Sequence, residues 1–394
     1  MGRLAMVLCL SSTAAATAAR TSGSVPACPP LRGNVTVKVP DIYPESADFA
    51  FSTCKFYLGS LNNGSLVEWD PYTSMGEIIE IPEVGHNPDF FLCGVDYSHA
   101  TGTIYASVSA RDPWMPYIGA SLRGPNRLIH YSPQEKAILW QANVDSLVQE
   151  IERDTGSPVA GFQDSAEDAD GNAYFIAAFG NAILQVDPDG HAIKFYSPER
   201  PATTYGFGGA FVTGDNVLVV ADAVSHAFVR FELSGPAPSH PTVAAPRGHH
   251  PEPGPGPERQ NGGGGGVLEC DALVAPPRYQ DRVCLCSAVV DRALSPHGAI
   301  AAYRSEDGWR TSRFAGAIPV EFGQAPDVWS TAQLATADRV YALSSALPYD
   351  ESLAFPRTGS TTLVDITDKI DALVGELAPG ADRSDGAGHA HEEL

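Results

Sequence analysis

The chain has 394 residues and a formal net charge of −22, with 25 lysines and arginines against 47 aspartates and glutamates. A nucleic-acid or anionic-membrane surface needs clustered basic residues, and no such cluster occurs, so neither is a partner. No apolar run reaches the roughly 20 residues that a membrane-spanning helix requires.

Residues 1–19 read as a signal peptide. Arg3 gives a short basic start, residues 4–10 are apolar, and Ala16-Thr17-Ala18 supplies the small residues that favour cleavage near Ala18 or Ala19. An N-terminal arm over 20–42 follows, punctuated by Pro26, Pro29 and Pro30. Once Cys9 leaves with the signal peptide, Cys28, Cys54, Cys93, Cys270, Cys284 and Cys286 remain. An even set in an oxidising compartment predicts disulfides, though sequence does not choose among the pairings. We expect Cys28 to join Cys54, tying the arm to the first repeat, and Cys270 to join Cys284 or Cys286. The last two lie two apart on a strand, face the same side and do not bond each other. A zinc site built on the cysteines is excluded because the paired-cysteine spacing occurs once and has no histidine pair. Asn34-Val35-Thr36 and Asn63-Gly64-Ser65 are N-glycosylation sequons. Asn63 has a competing explanation as a turn residue.

From residue 43 the chain is strand-like. The run CKFYLGSLNNGSLVEWDPYT, residues 54–73, holds two apolar-rich segments around Asn63-Gly64, a pair suited to the positive φ of a hairpin turn. Its second segment alternates Leu66 and Glu68 with Val67 and Trp69, which predicts one buried and one wetter face. Asp70-Pro71 ends it, because proline cannot donate to a ladder.

Weaker copies of this hairpin recur. Their second strands centre on Leu66, Leu128, Ile183, Phe228, Ile300 and Leu363, preceded by partners at 56–60, 103–108, 173–177, 217–221, 283–289 and 340–344. Six units of roughly 50 residues suit propeller blades. A blade cannot bury both faces alone, and radial stacking gives each one two neighbours. The fold class is therefore all-β, a six-bladed β-propeller over 43–378. Helical signal is confined to 145–153 and 365–377. A Gly/Pro-rich insert at 235–266, between blades four and five, and an acidic tail at 379–394 are expected to be disordered.

The 54–73 run, together with Gly94-Val95-Asp96-Tyr97 and Gly102-Thr103-Ile104-Tyr105, resembles a secreted fungal propeller family that includes a Malassezia allergen and a trichothecene-cluster protein. The resemblance covers most of 43–366 and implies six blades and a carrier of lipid-like ligands rather than an enzyme. It also implies secretion. His391-Glu392-Glu393-Leu394 resembles an ER-retrieval tetrapeptide and gives the ER lumen as the alternative address.

No catalytic motif is present: there is no Gly-x-Ser-x-Gly elbow, no Gly-x4-Gly-Lys loop and no zincin helix. The acidic run at 164–171 fails as an EF-hand, because Ala166 and Ala177 stand where ligands are needed. What remains is position, since propeller ligands sit at the axial end of the channel. Phe90, Phe91, Phe162, Tyr205, Phe207 and Trp329 are expected to wall an apolar pocket, with Asp89 or Gln163 fixing a polar head and no cofactor. The alternative is a lactonase or esterase whose calcium or zinc is held by Asp89, Asp164, Glu269 and Asp327. A third reading is a scaffold for a host or cell-wall protein, which sequence does not separate from the first.

Overall fold

The structure, a computed structural model, describes residues 28–61, 63–114, 121–201, 204–234, 241–244, 246–247, 270–288, 298–320, 328–346 and 359–375. The expected signal peptide and acidic tail lie outside these residues.

A short strand β1 (Val35–Val37) comes first, and the strands form six sheets that are antiparallel except for one parallel pairing in the fifth blade. Blade one is β2 (Pro44–Ala50), β3 (Lys55–Ser60), β4 (Ser65–Asp70) and β5 (Met75–Ile79), ordered outwards from the axis. Blade two is β6 (Phe90–Tyr97), β7 (Ile104–Ala110), β8 (Arg127–Ser132) and β9 (Ala137–Asn143). Helix α1 (Asp145–Thr155), stopped by Gly156 at φ +73°, leads to blade three: β10 (Ala160–Glu167), β11 (Ala173–Phe179), β12 (Ile183–Val186) and β13 (Ala192–Tyr196). Blade four is β14 (Phe207–Val212), β15 (Val217–Asp222), β16 (Ala227–Glu232) and β17 (Thr242–Ala244). After β18 (Pro246–Arg247) come the strands of blade five: β19 (Cys270–Val274), β20 (Val283–Ala288), β21 (Ala299–Arg304) and β22 (Ser312–Pro319). Blade six has β23 (Val328–Ala335), β24 (Val340–Ala346) and β25 (Thr361–Asp365), with helix α2 (Thr367–Val374) following. All six hairpins expected from the sequence are present, as the second and third strands of their blades.

Three findings differ from the sequence expectations. The arm is part of the propeller, because β1 pairs antiparallel with β25 (Val35 opposite Leu363) and supplies the outer strand of blade six. The ring is thereby closed by pairing the first described strand with the last. Within the expected disordered insert, β17 forms the outer strand of blade four and β18 lies parallel to β22 in blade five. The rest of the insert lies outside the described residues. Glu68, expected on a wetter face, is 5% exposed, because neighbouring blades cover both faces of β4. Lys55 and Tyr57 bond its carboxylate.

The hydrophobic core is six clusters, each lying between two adjacent blades. Phe56 and Val67 of blade one meet Leu334 and Leu343 of blade six, and the other five seams repeat this pattern. Apolar side chains on both faces of the middle strands are thus explained by radial stacking. The hairpin turn of blade one spans 61–64, and Gly64 alone of Asn63-Gly64 has positive φ (+60°). Asn63 is buried. Its Oδ1 accepts from the Ser65 amide, and its Nδ2, the atom a glycan would occupy, donates to the Asp41 carbonyl. Asn63 is therefore a turn residue and not an accessible sequon. Asn34 is exposed.

Cys28 bonds Cys54 as expected. Cys270 bonds Cys286, which leaves Cys284 a buried free thiol and corrects its assignment to a disulfide. The register supplies the reason: Cys270 lies opposite Ala288, so Cys286 is two residues from that pair and Cys284 four.

Candidate axial site

The innermost strands β2, β6, β10, β14, β19 and β23 present one open ladder edge to the axis. Each is broken by a β-bulge near its start, and a bulge re-aims the residue it displaces. The displaced residues are Glu45 and Ser46 in β2, Cys93 in β6, Gln163 in β10, Gly208 and Gly209 in β14, Asp271 and Ala272 in β19, and Thr331 in β23. The bulges ring the channel near its entry mouth. Their polar groups cross-link the blades: Ser46 Oγ accepts from the Val95 amide (3.1 Å), and Thr331 Oγ1 donates to the Glu45 carbonyl (2.8 Å). A carboxylate serves the same purpose deeper in, where Asp164 Oδ2 accepts from the Ala210 amide at 2.8 Å.

Blade four contributes no side chain to this ring. A Cβ on Gly208 would stand 1.9 Å from the Cys270 carbonyl oxygen, and one on Gly209 would stand 2.0 Å from the Leu273 nitrogen. The bare backbone lets blade five approach closely and lets Gln163 reach past it. The Gln163 amide nitrogen donates to the Tyr205 hydroxyl (2.7 Å) and to the Asp271 carbonyl (3.2 Å). Tyr205 donates in turn to the Cys270 carbonyl (3.1 Å).

The channel is acidic. Glu45 is held well above the usual carboxylate range by burial and then by the nearby Asp271 charge. Burial lifts Asp164 to about 8, against the opposing pull of the Ala210 and Ser165 amides. Towards the far end, burial raises Asp48 to about 7 and Glu167 to about 8. Asp96 is pushed well up by burial and then by Asp48, Asp164 and Glu167. Glu45, Asp48, Asp96 and Asp271, all on innermost strands, keep partial accessible surface.

At the mouth stands an aromatic row. Trp114 packs against Phe179 with centroids 5.6 Å apart, and Phe179 meets Tyr205 edge-on at 6.3 Å. All three are half-buried. Gly161, at φ +71°, seats the first two, since a Cβ there would be 2.9 Å from either ring.

Of the expected pocket residues, Gln163 and Tyr205 stand at the axis and touch each other. Phe90, Phe162 and Phe207 do not wall a pocket; they are fully packed within the blade one–two, two–three and three–four seams. Phe91 is buried near the mouth beneath the Arg111 guanidinium, 5.8 Å from its ring centroid. Asp89 is exposed and caps no channel group; its amide bonds Asn87 Oδ1. The side chain of Trp329 lies outside the described residues, as do Glu269 and Asp327. Of the expected metal set the described residues include only exposed Asp89 and buried Asp164, and no metal-compatible cluster among the described residues unites these two. Among the described residues one group has such geometry, Asp187, Asp189 and His191, in an outer turn where Asp187 already accepts from the amides of Asp189 and His191. Trp114 and Phe179 escaped the sequence reading. Phe179 carried one usable signal, as the residue at the mouth end of a second blade strand.

Fold and site together define a six-bladed β-propeller with a polar bulge ring and an aromatic mouth. The chain belongs to the Mal s 1 allergenic protein-like family, whose model matches residues 23–250. It is 24% identical to core trichothecene cluster protein 14 of Fusarium sporotrichioides, covering 89% of this chain and 90% of that one. Trichothecene biosynthesis protein 14 of Trichoderma arundinaceum is also 24% identical, over 88% and 92% of the two chains. The crystal structure of the major Malassezia sympodialis allergen Mala s 1 superposes with a TM-score of 0.69 at 19% identity, covering 85% of this chain and 96% of that one. That likeness establishes the shared fold.

Proposed function

We propose that the protein is a non-catalytic carrier of a small amphipathic ligand, held at the axial mouth with its apolar part on Trp114, Phe179 and Tyr205 and its polar end over the bulge ring. The observation that carries this reading is the half-buried aromatic row opening directly onto polar groups, an arrangement that suits a ligand with one end of each kind. Non-catalytic action is supported by the bonding of Asp164, whose carboxylate is committed to backbone amides rather than poised against a nucleophile. The two disulfides and the allergen-containing family support an extracellular address.

Mass spectrometry of organic extracts tests the carrier reading. We expect an amphipathic small molecule to co-purify with the wild-type chain and to be absent from Tyr205→Ala. Clean wild-type protein with no saturable binding of a neutral apolar fluorophore would overturn it. For the address, an internally tagged chain should accumulate in the medium whether or not Leu394 is deleted. Retention that is relieved by the deletion would favour the ER lumen instead.

A further inference from the structure

Asn34 and Asn63 carry the same kind of acceptor triplet and stand in opposite surroundings. Asn63 is 8% exposed and its Nδ2 donates to the Asp41 carbonyl (3.4 Å), so a sugar on that nitrogen would break the hairpin turn of blade one. At Asn34 the amide is turned the other way. Its Oδ1 accepts from the Asp365 amide (3.0 Å), which fixes the orientation of the group, and its Nδ2 has no hydrogen-bond partner among the described residues. A second bond, from the Gly33 amide to Asp365 Oδ2 (3.2 Å), steadies the same corner. Gly33, Asn34 and Thr36 are exposed, so the whole acceptor region faces solvent.

Its place in the fold gives a group attached there a use. β1 pairs with β25 at Val35 and Leu363, and Asp365 lies opposite Tyr341 near the start of β24, so Asn34 stands at the end of blade six away from the axial mouth. It also stands between the Cys28–Cys54 disulfide and the strand that closes the ring. The peptide bond after Arg32 lies in that same exposed stretch. Cutting it would separate β1 from the disulfide, and exposed irregular segments are where proteases nick native chains.

We infer that Asn34 carries the single N-linked glycan of the folded protein and that this glycan guards the Arg32–Gly33 bond. The inference rests on the extracellular address. In the transfer, Nδ2 bonds the anomeric carbon of an oligosaccharide borne on a lipid diphosphate, the bond from that carbon to the diphosphate oxygen breaks, and one amide proton leaves. Oδ1 takes no part, so the bond from the Asp365 amide survives in the product. The oligosaccharide then obstructs any protease cleft, because a cleft must take the residues on both sides of the bond it cuts.

Secretion of the full chain from a yeast, followed by enzymatic removal of N-glycans and peptide mapping, tests the site, since release of the sugar leaves aspartate at the acceptor. We expect that tag at Asn34 and not at Asn63. Thr36→Val destroys the sequon without touching the bond between Asn34 and Asp365, and enzymatically deglycosylated wild-type protein is the matching sample should that variant fold poorly. Limited trypsin digestion should cut after Arg32 several-fold faster in either than in the glycosylated chain. Secreted wild-type protein bare at Asn34, or tagged at Asn63, would overturn the inference and leave the address standing. Equal cleavage rates would overturn the guarding role, and an unglycosylated chain held in the cytosol would remove the address as well.

Discussion

Phe162 and Tyr205 sit on adjacent blades near the same mouth, and they separate two roles that aromatic residues play here. Phe162 has no exposed surface and fills the seam between blades two and three, so its truncation leaves a cavity that neighbouring strands cannot close. We expect Phe162→Ala to lower stability by about 3–5 kcal/mol in urea unfolding. Tyr205→Ala, removing a half-buried ring and one hydroxyl, should cost about 1–2 kcal/mol and abolish ligand binding. Equal destabilisation by the two would place Tyr205 in the core. The sequence located Gln163 and Tyr205 because position along a blade is readable from the hairpin period. It misassigned Phe90, Phe162 and Phe207 because a bulge decides which residue turns to the axis, and a one-residue bulge leaves no mark in an apolar run.

Among the elements, β1 carries the closure of the ring, and it is held by more than its three ladder pairs. The Cys28–Cys54 disulfide fastens the chain ahead of it to blade one, Tyr72 donates to the Pro29 carbonyl (2.6 Å), and Asn34 accepts from the Asp365 amide (3.0 Å). The bond closes a loop of 26 residues. In the chain-entropy account a loop of that size contributes about 3 kcal/mol. We expect the Cys28→Ser, Cys54→Ser double variant to lose about that much stability, with amide exchange at residues 35–37 and 361–365 accelerating before exchange elsewhere. Unchanged exchange at β25 would show that closure does not depend on the latch. Neither β1 nor β17 was legible beforehand, since an outer strand of three residues in a proline-rich arm or insert has too few side chains to show a period. The middle strands, apolar on both faces and repeated six times, were.

For the whole molecule, the channel carboxyls set how stability responds to pH. Asp48, Asp164 and Glu167 have folded-state values raised to about 7, 8 and 8, and burial also raises Glu45 and Asp96 well above the usual carboxylate range. A carboxyl raised on folding holds its proton more tightly in the native chain, so stability is greatest below the unfolded value and falls as pH rises through the folded one. His130, buried against Tyr105 and lowered to about 4, acts in the opposite sense, but only below its unfolded value near 6.5. Between pH 6.5 and 8.5 the carboxyls therefore act alone, and the net charge of −22 adds repulsion in the same direction. Thermal melts should show Tm falling steadily across that window. A flat or rising Tm would mean that the channel acids are ionised and well solvated in the native state.

The central claim is that a ligand is received where the aromatic row meets the bulge ring. A crystal of the full chain grown with a bromine-tailed long-chain alcohol tests this directly through the anomalous signal of the bromine. The account predicts one peak beside Trp114 and Phe179, with the hydroxyl end of the connecting density over the bulge ring. A peak confined to the outer hollow lined by Arg304, Ser312 and Arg313, with the axial mouth vacant, would contradict it.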